Sequence, residues 1–273
     1  MNRIANLVTA VSRRVKTSSQ ALRTRDAEAG SLRFFGPALA GVLLIGQITT
    51  SVLPACAEDL PAPPYFISRG GYVVIGIAYD EARAKKLAPS GVQIAPGATG
   101  EIIMYTAEES YGLPPYSSAW LGIDVDGFDT PAGNKARWMI SGLYGPMSVT
   151  NALAKYFDYP TREGSTRVER EGRRVTAVAT MGGREMIRAE LILKTDLCVR
   201  GSGLIHEVTR KAGSSAMQLI KIPYVSDWCA ADSVKVDIVA PASDPFGQAG
   251  AVKVLWGGYS YGGFGWSPAL TVH

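Results

Sequence analysis

The stretch MSVTNALAKYFDYPTREG (147–164) sets the order of structure along this chain. Its first eleven residues predict a helix over 147–157, which ends before Pro160. The segment TRVEREGRRVTAVATMGGREMIRAELILKT (166–195) follows, with glycines at the turn positions, and predicts an antiparallel strand meander. A helix therefore leads through a proline bend into a sheet.

Most of the remaining chain is strand-like. Only one other helix is predicted, at 80–88, and it ends before Pro89. Apolar, β-branched runs bounded by glycine or proline predict strands at 72–79, 100–107, 119–128, 135–144, 216–228, 233–243 and 251–266. Many short strands with few helices predict a mainly β fold, an antiparallel barrel, cone or sandwich.

The charged residues are unevenly distributed. The 273 residues include 28 Lys and Arg and 24 Asp and Glu, giving a net charge of +4. Seven of the basic and two of the acidic residues lie in 1–57, which leaves 21 basic and 22 acidic residues in 58–273. Because the body is near neutral, we expect no nucleic-acid partner.

Residues 1–57 have the pattern of an export leader. A basic region ends at Arg33, and the 24 uncharged residues 34–57 end on Ala55-Cys56-Ala57. This pattern is typical of a signal peptide cut near Ala57. An uncleaved membrane anchor and a lipoprotein acylated at Cys56 are the alternatives. Each predicts a periplasmic or secreted body that meets a membrane only through its leader.

The domain organisation follows from these segments. We expect the leader over 1–57, a linker over 58–65 that contains LPAPP, and one folded domain over 66–273. The sequence after residue 60 has no internal repeat and no second change of composition. One domain is therefore the simplest prediction.

The body contains two cysteines, Cys198 and Cys229. In an oxidising compartment they could pair, which would stabilise the fold by roughly 3–4 kcal/mol in the chain-entropy model. The alternative is two separate buried thiols. The histidines of the body are His206 and His273, and no Cys–His spacing is typical of zinc, so we predict no metal and no cofactor.

The sequence lacks the common catalytic motifs. A Ser–His–acid triad would need one of the two histidines, and no G-x-S-x-G segment is present. The segment GGYSYGGFGW (257–266) is not followed by the helix that a phosphate loop requires, and it predicts a strand with closely approaching backbone. Asp124 and Asp126 share one strand face, which favours a solvated edge over a metal site.

The succession of segments resembles the acetoacetate decarboxylase family over residues 64–268. The resemblance includes the arginine-tipped strand and helix FISRGGYVVIGIAYDEARAKKLAPSGVQ (66–93), then GLPPYSSAWLGIDV (112–125). The helix and bend of 147–164 follow, and SDWCAADSVKVDIVAPASDPFGQAGAVKVL (226–255) lies in the last third. This resemblance implies a β-rich barrel or cone that encloses a small-molecule pocket, and a homo-oligomer.

In that family the bend carries Tyr-Pro-Lys-Lys. Its first lysine forms a Schiff base with a β-keto acid, and the second lowers the pKa of the first. Here the bend is Tyr159-Pro160-Thr161-Arg162, and a threonine hydroxyl cannot form an imine. The resemblance therefore implies a divergent member that lacks the Schiff-base lysine.

Three further positions bear on this comparison. Ser118 replaces the family's pocket glutamate, and Ile103 replaces a second acidic residue. Arg69 matches the arginine that the family places near the substrate carboxylate. A relocated lysine, Lys155, Lys194 or Lys221, would rescue imine chemistry, although each pattern favours an outward-facing side chain.

We therefore expect an exported protein that binds a small carboxylated organic molecule, an organic acid or oxo acid. Arg69 and Arg162 would hold the carboxylate, because guanidinium groups suit it. Tyr116, Ser118, Tyr159 and Thr161 would add hydrogen bonds. Lyase, hydratase or isomerase chemistry without an imine stays open. The alternatives are a β-keto acid decarboxylase with a relocated lysine and a non-catalytic interaction protein.

Overall fold

The structure is a computed structural model that describes residues 59–272. The predicted leader lies outside the described residues, as does His273. The described helices are α1 (Glu81–Leu87), α2 (Met147–Phe157) and α3 (Pro245–Ala249). The described strands are β1 (Tyr65–Ala78), β2 (Thr99–Tyr111), β3 (Tyr116–Val125), β4 (Ala136–Gly145), β5 (Thr161–Glu163), β6 (Ser165–Glu171), β7 (Arg174–Met181), β8 (Arg184–Leu193), β9 (Val199–Arg210), β10 (Met217–Ile238), β11 (Lys253–Trp266) and β12 (Leu270–Val272).

Seven of these strands form a ring. Their order is β1-β2-β3-β4-β9-β10-β11, and β11 pairs again with β1. The second half of β10 pairs with β8, which extends the sheet through β7 to β6. The 22-residue β10 thus belongs both to the ring and to the meander layer.

Most pairings are antiparallel, as predicted, but the sheet is mixed. Strand β4 runs parallel to β5 and to β9. The chain leaves β4 through α2 and the meander before it returns to β4 as β9, so a crossover rather than a hairpin connects the two strands. Local sequence patterns do not indicate that two strands so far apart in the chain pair in parallel.

The predicted mainly β fold with few helices is confirmed. Helix α2 has its predicted bounds, and the meander has its predicted glycine turns, with Gly172 and Gly182 at φ 58° and 57°. The short helix α3, capped by Asp244, was not predicted. Strand β9 was also missed, because its first half, VRGSG, has neither β-branched density nor apolar alternation.

Strands β2 and β3 are mostly buried on both faces, whereas β9, β10 and β11 have exposed residues. On β2, Ile102 and Met104 belong to the main core, together with Val175 and Ala177 of the meander. The alternate residues of β2 point to the opposite face, since successive side chains of a strand alternate. That opposite face lines the cavity described below.

The ring closes through the glycine-rich β11. A Cβ atom at Gly258 would lie 2.5 Å from the carbonyl oxygen of Cys229, so only glycine lets β11 approach β10 this closely. Of the four aromatic residues in the segment 257–266, Tyr259 and Trp266 are buried, and Tyr261 and Phe264 are partly buried. The predicted close-approach strand is therefore present.

A disulfide joins Cys198 to Cys229, with Cα atoms 4.4 Å apart. It ties the segment before β9 to the middle of β10, on which the ring and the meander meet. Within residues 59–272, no helix is both long enough and apolar enough to cross a membrane.

Candidate functional site

The ring encloses a cavity of about 690 Å³. This volume is in the range of small-molecule binding sites. The lining residues near solvent include Gly133, Asn134, Gly201, Ser202 and Trp256, which are all exposed. The buried lining residues include Glu101, Ile103, Tyr105, Trp120, Glu207, Ile222 and Trp266. The cavity therefore leads from a solvent-exposed rim to a buried, largely aromatic end.

Strand alternation positions the lining. On β2, Glu101, Ile103 and Tyr105 are two residues apart and share the cavity face. On β9, Ile205 and Glu207 follow the same period. Each carboxylate thus sits on a fixed strand within an apolar row, where water cannot fully solvate it.

Glu207 is a buried carboxylate of the cavity with a raised pKa. Its side chain is buried, with 3% exposed, and it accepts a short hydrogen bond from the hydroxyl of Tyr159. Burial raises the pKa of Glu207 to about 7, against the lowering effects of Tyr159 and Arg137. Burial also raises the pKa of Tyr159 well above its usual value, so this hydroxyl remains the donor. Glu207 can therefore gain or lose a proton near neutral pH.

Arg137 lies between carboxylates from neighbouring strands. It forms a short ion pair with Glu101, and its Nε atom lies 3.6 Å from Oδ1 of Asp124. In the sheet register Arg137 is opposite Asp124 on one side and Glu207 on the other. Burial raises the pKa of Glu101, an effect that Arg137 opposes and Asp124 strengthens. The guanidinium of Arg137 thus pairs with two carboxylates, and a third, Glu207, lies on the neighbouring strand.

Within residues 59–272, Lys135 is the one lysine that lines the cavity. Its ammonium lies 2.6 Å from Asp126 and 2.9 Å from Asp129. Hydrogen bonds to these two carboxylates raise the pKa of Lys135. Imine formation needs the opposite change, an amine whose pKa is lowered.

The other lysines considered from the sequence are distant from this chemistry. Lys155 is exposed on α2, and its ammonium lies 3.5 Å from Asp59. Lys194 and Lys221 are exposed as well. In the described part of the chain, none of the three contributes to the cavity lining.

The tyrosines and the serine predicted at the site lie behind the cavity wall. Tyr159 bonds to Glu207, and the hydroxyl of Tyr116 lies 3.1 Å from that of Tyr105, a lining residue. The Oγ atom of Ser118 is buried and has no hydrogen-bond partner in the described chain. Ser118 is the register partner of Tyr105, so each of the three residues lies next to a lining residue. Their contact with a ligand stays a prediction.

Thr161 and Arg162 are bound by protein groups. The hydroxyl of Thr161 donates to the carbonyl of Thr150 at 3.0 Å. Arg162 forms a short ion pair with Asp244 and donates a second bond to it at 3.1 Å. The same guanidinium lies 5.5 Å from the ring centroid of Phe246. The bend therefore anchors α3.

Arg69 lies in a different environment. Its side chain is 54% exposed and pairs with Glu108 at 3.3 Å and Glu109 at 3.0 Å. Its Nε atom donates to the hydroxyl of Tyr261 at 3.1 Å. None of these groups, nor any of the six residues predicted to bind ligand, belongs to the lining found within residues 59–272. The role of the six in binding stays a prediction.

The sequence-based prediction missed Glu101, Arg137 and Glu207. Glu101 had a usable signal, since it is a lone acid in the apolar strand GEIIMYTA. Arg137 and Glu207 had no such signal, because they meet only through the parallel pairing of β4 with β9. Within the described residues, no three His, Cys, Asp or Glu side chains are grouped so as to hold a metal ion.

The sequence matches no protein-family model, and no curated protein matches it significantly. Solved structures do resemble it. The acetoacetate decarboxylase of Legionella pneumophila subsp. pneumophila str. Philadelphia 1 superposes with a TM-score of 0.62 at 13% identity, covering 86% of this chain and 98% of that one. An acetoacetate decarboxylase-like enzyme from Sphingomonas wittichii RW1 gives 0.57 at 17% identity, covering 82% and 99%.

A third similar structure is the enduracididine biosynthesis enzyme MppR in complex with pyruvate. It superposes with a TM-score of 0.61 at 12% identity and covers 78% of this chain and 91% of that chain. At these identities the likeness shows the fold alone.

Proposed function

From its acetoacetate decarboxylase-like fold, we propose that the protein binds a small organic molecule in the ring cavity and exchanges a proton with it through Glu207. The reaction would be of a lyase, hydratase or isomerase type that does not proceed through an imine. The observation that carries the proposal is the placement of Glu207, buried at a 690 Å³ cavity and held by Tyr159.

The proton balance of such a step is simple. The carboxylate of Glu207 takes a proton from a carbon or oxygen of the bound molecule and later returns it, so the protein is unchanged at the end. A group is effective in this role when its pKa lies near the working pH, and burial brings Glu207 to about 7. The hydrogen bond from Tyr159 fixes the orientation of the carboxylate.

Imine chemistry has less support. The bend has Thr161 at the lysine position, and the pKa of the cavity's Lys135 is raised rather than lowered. Borohydride reduction with acetoacetate should therefore leave no mass adduct on any lysine. A lysine adduct would restore the relocated-lysine decarboxylase alternative.

The test of proton transfer uses carbonyl compounds in D₂O. Pyruvate, acetoacetate and 4-phenyl-2-butanone are incubated with the full chain, and exchange of the hydrogens next to the carbonyl is followed by proton NMR. We expect exchange with at least one compound, and we expect Glu207→Gln to lower its rate by about a hundredfold or more. Glu163→Gln is the matched control, because Glu163 is an exposed glutamate of β5. Equal exchange by wild type and Glu207→Gln would refute the role of Glu207.

An oxo acid is the second candidate ligand, as the sequence analysis expected. It is favoured by the pyruvate in one similar structure and by the guanidinium of Arg137 at this cavity. Its carboxylate would need Arg137 to release Glu101 or Asp124. Comparing pyruvate with the neutral ketone in the same experiment tests this requirement.

We also propose that the body functions outside the cytoplasm. The support is the basic and apolar pattern of 1–57 and the disulfide of the body, since disulfides persist in oxidising compartments. Mass spectrometry of protein from cell fractions should find an extracytoplasmic form that begins near Glu58. A cytoplasmic protein with free thiols would contradict the proposal.

A further inference from the structure

The charges around the cavity do not balance. Four strands that are consecutive in the ring, β2, β3, β4 and β9, contribute Glu101, Asp124, Arg137 and Glu207. Three carboxylates therefore surround one guanidinium. The remaining charged residue of the described lining, Lys135, is already bound by Asp126 and Asp129. The lining thus has an excess of negative charge.

Two of these carboxylates have an oxygen available to a ligand. Tyr159 donates to Oε2 of Glu207, and Arg137 donates to Oε1 of Glu101. In the described chain no protein group forms a hydrogen bond with the second oxygen of either carboxylate, although both residues are at least nine-tenths buried. Neither of these two oxygens is fully enclosed by protein, and both residues line the cavity, so an N–H group of a bound ligand can reach both oxygens.

The walls beside the carboxylates are aromatic. Tyr105, Trp120 and Trp266 line the closed end, and Tyr72 and Phe264 adjoin them. The faces of aromatic rings attract cations, and the attraction strengthens where water is excluded. Aromatic faces and unsatisfied carboxylates together select positive charge on an apolar skeleton.

We propose that the cavity binds a small organic cation, an ammonium group on an apolar or aromatic skeleton, whose N–H groups bond to Glu207 and Glu101. This inference rests on the proposed function only in taking the ring cavity as the ligand site. It names a class of ligand opposite in charge to the organic acid that the sequence predicted.

The proposal couples binding to a proton. In the empty cavity the charge excess is relieved when Glu207 holds a proton, whereas an ammonium beside Glu207 would replace that proton. The groups that surround Glu207 support this exchange. They are Arg137 and Tyr144 of β4, Glu101 of β2, Tyr116 of β3, Tyr159 after α2, and the apolar register partner Ile220 of β10. Asp124 of β3 lies on the far side of Arg137.

The direction of the pH dependence follows. Burial places the pKa of Glu207 at about 7, so at pH 5.5 the carboxyl is mostly protonated and must lose its proton before it can pair with an ammonium. The affinity for an amine should therefore rise by about 20-fold between pH 5.5 and 7.5. An alkyl ammonium keeps its own charge throughout this interval.

The test compares three probes of nearly equal size: phenethylamine, 2-phenylethanol and phenylacetate. Titration calorimetry with the full chain should give an affinity for the amine that is at least about tenfold higher than for the other two. Repeating the amine titration at pH 6 in buffers of different ionisation enthalpy should reveal the release of about one proton per amine bound. These two measurements need no variant.

Glu207→Gln should lower the affinity for phenethylamine by about tenfold or more and abolish the proton release, while 2-phenylethanol binds as before. Glu163→Gln should change neither the affinity nor the proton release.

Tightest binding of phenylacetate, or an amine affinity independent of pH, would overturn the cation inference while leaving the cavity as a ligand site. If no probe binds and the NMR assay still shows Glu207-dependent exchange, the inference fails and the proposed function stands. If both experiments are negative, both fail.

Discussion

Arg137 and Arg162 are partly buried arginines on adjacent, paired strands, with side chains 15% and 29% exposed. Arg162 has one acid, Asp244, which it binds through two guanidinium nitrogens. Arg137 has three, Glu101, Asp124 and Glu207, around it. This matched ion pair leaves no unbalanced charge for a ligand, and the remaining guanidinium nitrogen of Arg162, Nε, is buried. An unmatched cluster still requires a proton or a ligand, and this is why we place the functional site at Arg137.

The largest expected effect is on the matched pair. Asp244→Ala should lower the free energy of unfolding by about 3 kcal/mol, because it leaves the partly buried Arg162 without its acid. The same change removes the hydrogen bond that Asp244 accepts from the backbone N–H of Phe246 at the start of α3. Urea denaturation at pH 7 measures the loss.

Asp80→Ala is the control for the helix cap alone. Asp80 caps α1 through the backbone N–H of Arg83, as Asp244 caps α3, but it is exposed and no ion pair involves it in the described chain. We expect a loss of about 1 kcal/mol. Equal losses in both variants would mean that Arg162 gains nothing from Asp244 and is available to a ligand, which would break the comparison.

The next effect concerns the unmatched cluster. The pKa of Glu207 is about 7 in the folded protein, against an ordinary value of 4.5 for a glutamate, so folding favours the protonated form. Stability from this group is complete below the lower pKa and is lost as the pH rises through the higher one. Wild type should therefore lose about 2 to 3 kcal/mol between pH 5 and pH 8 relative to Glu207→Gln, which cannot ionise.

Urea denaturation across this pH interval provides the measurement, and Glu163→Gln should keep the wild-type slope. If wild type and Glu207→Gln have parallel profiles, Glu207 is ionised at neutral pH despite its burial. The cluster would then tolerate its excess charge, and the distinction between Arg137 and Arg162 would lose its energetic basis.

The sequence predicted those parts of the fold that depend on residues close together in the chain. Helix α2 and the glycine turns of the meander follow from residues within a few positions of each other, and both are confirmed. The site depends on longer-range structure. Glu207 lies on β9, whose glycine-rich first half hides the strand, and it comes beside Arg137 only through a parallel pairing across 70 residues.

The proline bend illustrates both what the sequence predicts about the site and what it does not. It drew attention to Tyr159, which does contact the charged residues of the cavity, through its hydrogen bond to Glu207. Arg162, three residues further on, was predicted by the same reasoning, yet it points to Asp244 and α3. Residues at an odd spacing in an extended segment face opposite sides, and the sequence does not say which side holds the cavity.

The smallest expected effect comes from a third arginine, Arg69. It tests whether an excess of carboxylates around an arginine affects stability or ligand binding when the group is exposed. Two acids, Glu108 and Glu109, accompany it, but water screens exposed pairs of this kind. Arg69→Ala should leave the melting temperature nearly unchanged and the phenethylamine affinity within about twofold. Thermal denaturation and calorimetry check both values. A large loss of affinity, or binding of an organic acid that disappears in this variant, would move the ligand site to Arg69, where the family resemblance first placed it. An unchanged phenethylamine affinity would instead favour the buried cluster around Arg137 as the binding site. The acids around Arg137 differ from those around Arg69 in being buried.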